Sequence, residues 1–171
     1  LLPAYPVALA PQSAPDLARG AALFGEQCAS CHGVNGDGKG PDAKGMDPPP
    51  IAFADRARAD HRSVFALYQV IDQGLDGTAM ASFARLPAED RWALAFYVGR
   101  FAYDAEAAQR GERLWRSDPN VRAAFPNLAA VTRVTPAGLA TTAGAKNAAD
   151  LTAFLRRSPE VVTTPSGGPV L

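Results

Sequence analysis

The sequence predicts an all-α protein. Apolar residues recur at helical spacing in several segments, capping residues precede those segments, and no segment alternates apolar and polar residues as a half-buried strand would. With 171 residues and 47% hydrophobic content, the chain can hold one domain or one domain with an added region. The formal net charge is zero, which argues against nucleic acid as the main partner, because phosphate binding needs a basic field.

The first helix is predicted to begin near Asp16 and to end at Cys28. Asp16 is a residue type favoured at N-caps. After it, apolar residues spaced at helical intervals form one face: Leu17, Ala21, Phe24 and Cys28. The sulfur of Cys28 is therefore expected at the end of an amphipathic helix, on its apolar side.

Two further helices are predicted in the middle of the chain. One runs from about Ser63 to Asp72, and Gly74 is a suitable C-terminal stop. Pro87 opens the next, which is apolar nearly all round over residues 92–101 and should therefore be a central, buried helix. Asp104 is predicted to start the following helix.

The C-terminal part of the chain reads as weaker helices. Thr135 followed by Pro136 is a cap with proline at the first helical position, and Asn147 is predicted to cap the last helix. Residues 163–171 have the composition of a flexible linker. Residues 1–14 are expected to be an extension; their first part lacks a basic region and indicates a mature or trimmed terminus rather than an intact signal peptide.

Residues 28–32 read Cys-Ala-Ser-Cys-His, the attachment signature of a c-type haem. One turn of chain separates Cys28 from Cys31 by about the distance between the two vinyl groups of haem, so both thiols can form thioethers. The next residue, His32, then directs its imidazole at the iron. The motif predicts one covalent haem c, bound through Cys28 and Cys31, with His32 as an axial ligand of the iron.

Three other interpretations of the motif compete with haem attachment. A thioredoxin-like dithiol needs a βαβ context, which the sequence does not offer. A disulfide would leave the adjacent histidine unexplained. A structural zinc site needs four ligands, which Cys28, Cys31, His32 and His61 would have to supply, but adjacent Cys31 and His32 are poorly placed for bonds to one tetrahedral ion.

The second axial ligand is predicted to be Met80. Electron-transfer haems often use methionine on the far side, and the sequence contains two methionines, Met46 and Met80. The chain must wrap around the haem edge to reach that side, and the longer path to Met80 does so comfortably. Met46, His61 and a vacant position remain as alternatives.

Together these features resemble the class I c-type cytochromes over roughly residues 15–103. The residues that carry the resemblance are Gly20 and Phe24, the motif through Gly33, the loop around Met80, and Trp92 through Tyr97. The resemblance implies a class I cytochrome c fold in which the first and last helices of the haem domain cross at glycine and aromatic contacts. It also implies His32 and Met80 as the axial ligands.

Two details of this resemblance are specific enough to check. Many relatives carry proline directly after the ligand methionine, where this chain has Ala81. In the family, a proline carbonyl accepts a hydrogen bond from the free ring nitrogen of the proximal histidine, and Pro41 and Pro48 are the candidates.

A narrower resemblance links residues 5–10, 47–53 and 74–83 to the periplasmic N-terminal part of bacterial cytochrome c and iron-permease fusion proteins. It implies a periplasmic location, with a tether to the inner membrane through a membrane domain beyond this sequence. It also implies an iron-permease domain as partner and a role in iron transport.

The predicted organisation is a mono-haem cytochrome c domain at residues 15–104 and a smaller helical region at residues 105–162. Residues 109–115 echo residues 17–24 faintly, with a glycine followed by an aromatic residue four positions later. Either the echo is generic helix composition, or the second region is a degenerate, haem-free repeat.

The function that these features favour is single-electron transfer with redox partner proteins, without catalysis by the chain itself. One alternative is a haem-based sensor in which Met80 is displaced by a gas. Another is an electron-accepting subunit of a periplasmic oxidoreductase.

Overall fold

The computed structural model describes residues 9–162, which are helical and contain no strand. The first residues of the predicted extension (1–8) and the predicted linker (163–171) lie outside this range. The helices are α1 (Leu17–Gln27), α2 (Ala29–His32), α3 (Arg56–Ala59), α4 (Val64–Gln73), α5 (Ala88–Val98), α6 (Ala105–Ser117), α7 (Pro119–Ala123), α8 (Leu128–Arg133), α9 (Pro136–Ala143) and α10 (Ala145–Arg157), followed by a 3₁₀ helix at Pro159–Val162. None of the helices in the described range is long and apolar enough to cross a membrane.

Helix starts are set by side-chain caps at the predicted places. Asp16, Ser63, Asp104 and Thr135 each accept a hydrogen bond from the backbone N–H three residues later. Such a cap satisfies one of the N–H groups that a first helical turn leaves free. These four predictions are confirmed.

The predicted cap at Asn147 is wrong. Helix α10 begins two residues earlier, directly after Gly144, and Asn147 lies exposed in its first turn. Gly144 has φ +84°, and its N–H bonds to the carbonyl of Ala140, so one glycine both ends α9 and starts α10. No separate capping residue is needed at this junction.

Helices α1 and α5 cross at a glycine. A Cβ on Gly20 would lie 2.5 Å from the carbonyl oxygen of Ala93 and 3.2 Å from Cβ of Tyr97. One turn further along α1, the ring of Phe24 packs on Tyr97 with centroids 5.4 Å apart. This is the glycine and aromatic crossing that the resemblance implied.

Helix α5 is the central helix, as predicted. Its residues Trp92 and Phe96 are buried, and it contacts α1, α4 and α10. On the α4 side, Tyr68 stacks on Trp92 with ring centroids 3.9 Å apart. Helix α4 is thereby fixed against the same helix that α1 crosses.

A second crossing joins α6 and α10 with the same construction. A Cβ on Gly111 would lie 2.0 Å from the carbonyl oxygen of Asp150 and 2.8 Å from Cβ of Phe154. Trp115, one turn after the glycine, packs on Phe154 with centroids 6.2 Å apart. The arrangement of α1 and α5 thus recurs in α6 and α10, while a haem-free repeat of the whole domain stays a prediction.

The two regions share one apolar core. A single cluster of buried side chains contains members from residues 15–104 and from residues 105–162, among them Phe24, Trp92, Phe96, Trp115, Phe125 and Phe154. Contacts of α5 with α10 and of α4 with α8 join the two regions. The C-terminal helices therefore pack directly against the first region.

Candidate functional site

The two cysteines and the histidine of the motif lie on one short turn. Cys28 is the C-cap of α1, and its N–H donates a hydrogen bond to the carbonyl of Phe24 at 2.9 Å. The N–H groups of Cys31 and His32 then both donate to the carbonyl of Cys28, at 3.2 and 2.9 Å. Both thiols are free and half-buried. The structure therefore brings together three of the predicted site residues as the sequence indicated.

The loop after the motif folds back onto this turn and holds its carbonyl groups. The N–H groups of Gly38, Gly40 and Asp42 donate to the carbonyls of His32, Cys31 and Ser30, at 2.8, 3.1 and 2.8 Å. Gly40 is buried there, and a Cβ on it would lie 2.2 Å from the oxygen of Ser30. The glycine-rich loop thus has a structural role, because it fixes the turn that carries the thiols.

The imidazole of His32 is oriented by the carbonyl of Ile51, which accepts a hydrogen bond from Nδ1 at 2.9 Å. Neither Pro41 nor Pro48 takes this role, so the expectation of a proline carbonyl is wrong. The prolines at 48–50 have no N–H to donate. The segment is instead anchored beyond them, where Ala54 N–H bonds to Gly36 O at 2.9 Å, and this brings Ile51 to the ring. With Nδ1 engaged, Nε2 remains for a metal ion.

An aromatic residue supports the histidine ring from its face. Phe53 stacks on His32 with centroids 4.6 Å apart and an interplanar angle of 27°. Burial lowers the pKa of His32 below its ordinary value and the charge of Arg62 acts in the same direction, while the bond to Ile51 opposes them. The neutral imidazole, which is the form that ligates iron, is therefore favoured.

The Cys28 thiol does not have the lowered pKa of a reactive redox cysteine. Burial raises the pKa of Cys28 to about 11, and the neighbouring Cys31 adds to the increase. Reactive Cys-x-x-Cys pairs have a lowered pKa instead. Within residues 9–162, no three His, Cys, Asp or Glu side chains are grouped as a metal site, so His61 is not brought to the other proposed zinc ligands.

Met80 lies in a tightly bonded loop between α4 and α5. Its N–H donates to Thr78 Oγ1 at 3.1 Å, its carbonyl accepts from Leu75 N–H at 3.1 Å, and Thr78 Oγ1 bonds to the Leu75 carbonyl at 2.7 Å. The end of the loop is held by Phe83 N–H on the carbonyl of Ile71, at 2.8 Å. Met80 is half-buried in this fixed loop, and its role as iron ligand stays a prediction.

The other candidates for the far side of the iron are placed differently. Met46 is also half-buried, but it lies in the loop after the motif, where its N–H bonds to Ala43 O at 3.1 Å. His61 is exposed.

Arg62 is a residue of the site that the sequence did not single out. Its Nε and Nη1 atoms are buried without a hydrogen-bond partner among the residues that the structure describes. Its guanidinium carbon lies 5.8 Å from the centre of the Phe53 ring, which in turn stacks on His32. A buried cation with unpaired N–H groups is unfavourable on its own and fits a carboxylate. Haem carries carboxylate side chains, so this donor set fits the group that the motif predicts.

The site lies within a segment of the chain that matches a known protein family. Residues 17–101 match the cytochrome c family. Among solved structures, the chain is similar to one described as "Kuenenia stuttgartiensis reducing HAO-like protein complex Kustc0457/Kustc0458", with 16% identity and a TM-score of 0.44. The match covers 66% of this chain and 62% of that chain, which is less than two thirds of its length. None of the curated proteins compared with the chain is similar enough to count as a match.

The turn of residues 28–32, the crossing of α1 with α5 and the family match agree on one assignment. The family attaches haem c covalently and uses it for electron transfer. Residues 17–101 of this chain form a c-type cytochrome domain.

Proposed function

We propose that the chain passes single electrons through one covalently bound haem c, with His32 and Met80 as the axial ligands of its iron. The observation that carries the proposal is the bond from His32 Nδ1 to Ile51, which leaves Nε2 for the iron beside both thiols. The sequence contains two cysteines, Cys28 and Cys31, which supports one attachment site.

Each residue of the site has a distinct role in this proposal. Cys28 and Cys31 hold the haem through thioethers, His32 is oriented on one side, and the unpaired N–H groups of Arg62 accommodate a carboxylate of the haem. When bound, the haem supplies the iron whose charge changes by one electron. The bonded loop keeps Met80 in place in both oxidation states, and methionine on the far side raises the reduction potential.

Redox partner proteins are the proposed donors and acceptors, and transient redox contacts are typically small. The narrower resemblance supports a periplasmic location, and an iron-permease domain as a partner that receives iron oxidised at this protein. Two of the segments that carry that resemblance, 47–53 and 74–83, contain Ile51 and Phe53 at the histidine and Met80 in its loop. The likeness therefore involves the surroundings of the site and not only its surface.

The proposal is tested with carbon monoxide. The reduced holoprotein is expected to give a sharp low-spin c-type spectrum that the gas does not change, because both axial positions are occupied. In Met80→Ala the position opposite His32 opens, and the spectrum should shift when carbon monoxide is added. The measurement is the visible spectrum of the ferrous protein before and after the gas.

Met46→Ala is the matched control, since it removes a half-buried methionine from the other loop. It should behave as the unaltered protein does. A shift confined to Met46→Ala would assign the ligand to Met46. A shift in the unaltered protein would show a displaceable sixth ligand and favour the sensor.

A further inference from the structure

The short segment that carries Arg62 is held from outside the cytochrome domain. The carbonyl of Asp60 accepts a hydrogen bond from the N–H of Ala137 in α9, at 2.8 Å. The carbonyl of Arg62 itself accepts one from Nη2 of Arg156 in α10, at 3.0 Å. Two helices of the C-terminal region therefore fix the backbone on both sides of His61.

Arg156 is the more unusual of the two donors. Only 4% of the residue is exposed, and its Nη1 donates to the carbonyl of Gly99, directly after α5, at 2.7 Å. Burial lowers the pKa of Arg156 to about 10, so the guanidinium is still charged at neutral pH. The Arg156 guanidinium donates to two carbonyls at once and so joins the end of α5 to the Arg62 segment. A lysine ammonium does not have this planar, forked arrangement of donors.

The two arginines face one small cavity. Its lining includes Phe53, Arg62, Gly99 and Arg156. The guanidinium groups of buried Arg156 and half-buried Arg62 repel each other at this cavity, and within residues 9–162 neither forms an ion pair of the kind that joins Arg110 to Asp150. Two cations without an acidic partner at one cavity do not by themselves stabilise the fold. They do place fixed positive charge beside the ring that stacks on His32.

We propose that Arg156 is a positioning residue through which the C-terminal region holds Arg62 beside the haem site and so raises the reduction potential of the iron. The inference rests on the proposed function, because it needs haem at His32. A nearby positive charge favours the ferrous state, which carries one positive charge fewer than the ferric state. The contribution depends on where the guanidinium lies, and Arg156 and Ala137 fix the backbone from which that side chain extends.

The test compares midpoint potentials of full-length holoproteins. Covalent attachment retains the haem in every variant. Arg62→Gln is expected to lower the ratio of ferrous to ferric protein at fixed potential about tenfold, which is 59 mV for one electron. Arg156→Gln should lower it several-fold, and the double variant should lower it no further than Arg62→Gln alone.

Arg110→Gln is the matched control. It removes an arginine of α6 that pairs with the buried Asp150 at 3.2 Å, so it weakens the C-terminal region without touching residues 60–62. Its potential should be unchanged. The proposal is wrong if Arg110→Gln lowers the potential as much as Arg156→Gln does, or if Arg156→Gln has its full effect in the Arg62→Gln background.

Arg156→Lys keeps the charge and serves if Arg156→Gln does not fold. It should still lower the potential, because an ammonium does not hold both carbonyls; an unchanged potential would overturn the proposal. A second readout is hydrogen exchange of the backbone amides at residues 60–62 in the holoprotein. Exchange at these amides is expected to be faster in the Arg156 variants but not in Arg110→Gln. Exchange as slow in the Arg156 variants as in the unaltered protein would contradict the positioning role, whichever residue is the second axial ligand of the iron.

Discussion

Replacing Gly111 with alanine is expected to lower the free energy of unfolding of the holoprotein by about 3 kcal/mol, the upper part of the usual range for overpacking. The added Cβ would lie 2.0 Å from the carbonyl oxygen of Asp150 and 2.8 Å from Cβ of Phe154. Both partners belong to α10, so whole helices must separate. Trp115 would then lose part of its contact with Phe154.

Gly25→Ala is the control for this change. Gly25 is an exposed glycine in α1, and a Cβ there would meet no atom within 4 Å. Alanine has the higher helix propensity, so this variant should be as stable as the original or more stable by up to about 1 kcal/mol. Urea unfolding followed by tryptophan fluorescence measures both. Equal midpoints for the two variants would mean that α6 and α10 do not approach as closely as the structure shows.

The same experiment examines how the two regions unfold. Since one apolar core spans both, tryptophan fluorescence and haem absorbance should report the same midpoint, and Gly111→Ala should lower both. A lower midpoint for fluorescence with an unchanged haem signal would instead divide the chain near residue 105 into two units that unfold separately.

Local signals in the sequence were sufficient for four of the predicted helix starts and for the turn of residues 28–32, but not for the start of α10. Asp16, Ser63 and Asp104 each bond to a backbone N–H within their own first turn, so no distant residue is needed to place them. The motif at residues 28–32 is local in the same sense. Its two cysteines and histidine lie within five consecutive residues, so one turn of chain is enough to bring them together.

Contacts made by the backbone, or across long separations, were not predictable in this way. Every residue has a backbone carbonyl, so nothing in the sequence marks Ile51 as the hydrogen-bond partner of His32. The resemblance to the family had indicated a proline carbonyl instead. Arg156 reads in sequence as an ordinary basic residue near the end of a helix. Its burial arises only when α10 packs against the end of α5, where Gly99 accepts its hydrogen bond.

The similarity between residues 17–24 and 109–115 was also not enough to predict how the second pair of helices packs. In both, a glycine is followed four residues later by an aromatic residue, as in Gly20 with Phe24 and Gly111 with Trp115. Each glycine faces a backbone carbonyl and the Cβ of an aromatic residue on a helix distant in sequence, so the glycine and aromatic spacing alone did not reveal the second crossing. The close approach depends on the absence of a side chain at Gly111, which the sequence gives, and on the backbone that this glycine faces, which is visible only in three dimensions.

Replacing Gly40 with alanine is expected to impair covalent attachment of haem. The loop from Gly38 to Asp42 supplies the N–H groups that hold the carbonyls of the cysteine turn. A Cβ on Gly40 would lie 2.2 Å from the oxygen of Ser30, so the loop must move away and these bonds lengthen. Cys28 and Cys31 are then presented less regularly, and stability should fall by about 1–3 kcal/mol.

Lys39→Ala separates the role of the turn from a general effect of altering this loop. Lys39 is exposed, and its hydrogen bond to Asp37 Oδ1, at 2.9 Å, comes from its backbone N–H and survives the substitution. Intact-mass spectrometry of protein made with a haem-maturation system gives the fraction that carries haem. That fraction should be lower for Gly40→Ala and unchanged for Lys39→Ala. If both variants were fully loaded, attachment would not depend on the rigidity of the turn, and the glycine at this position would serve stability alone.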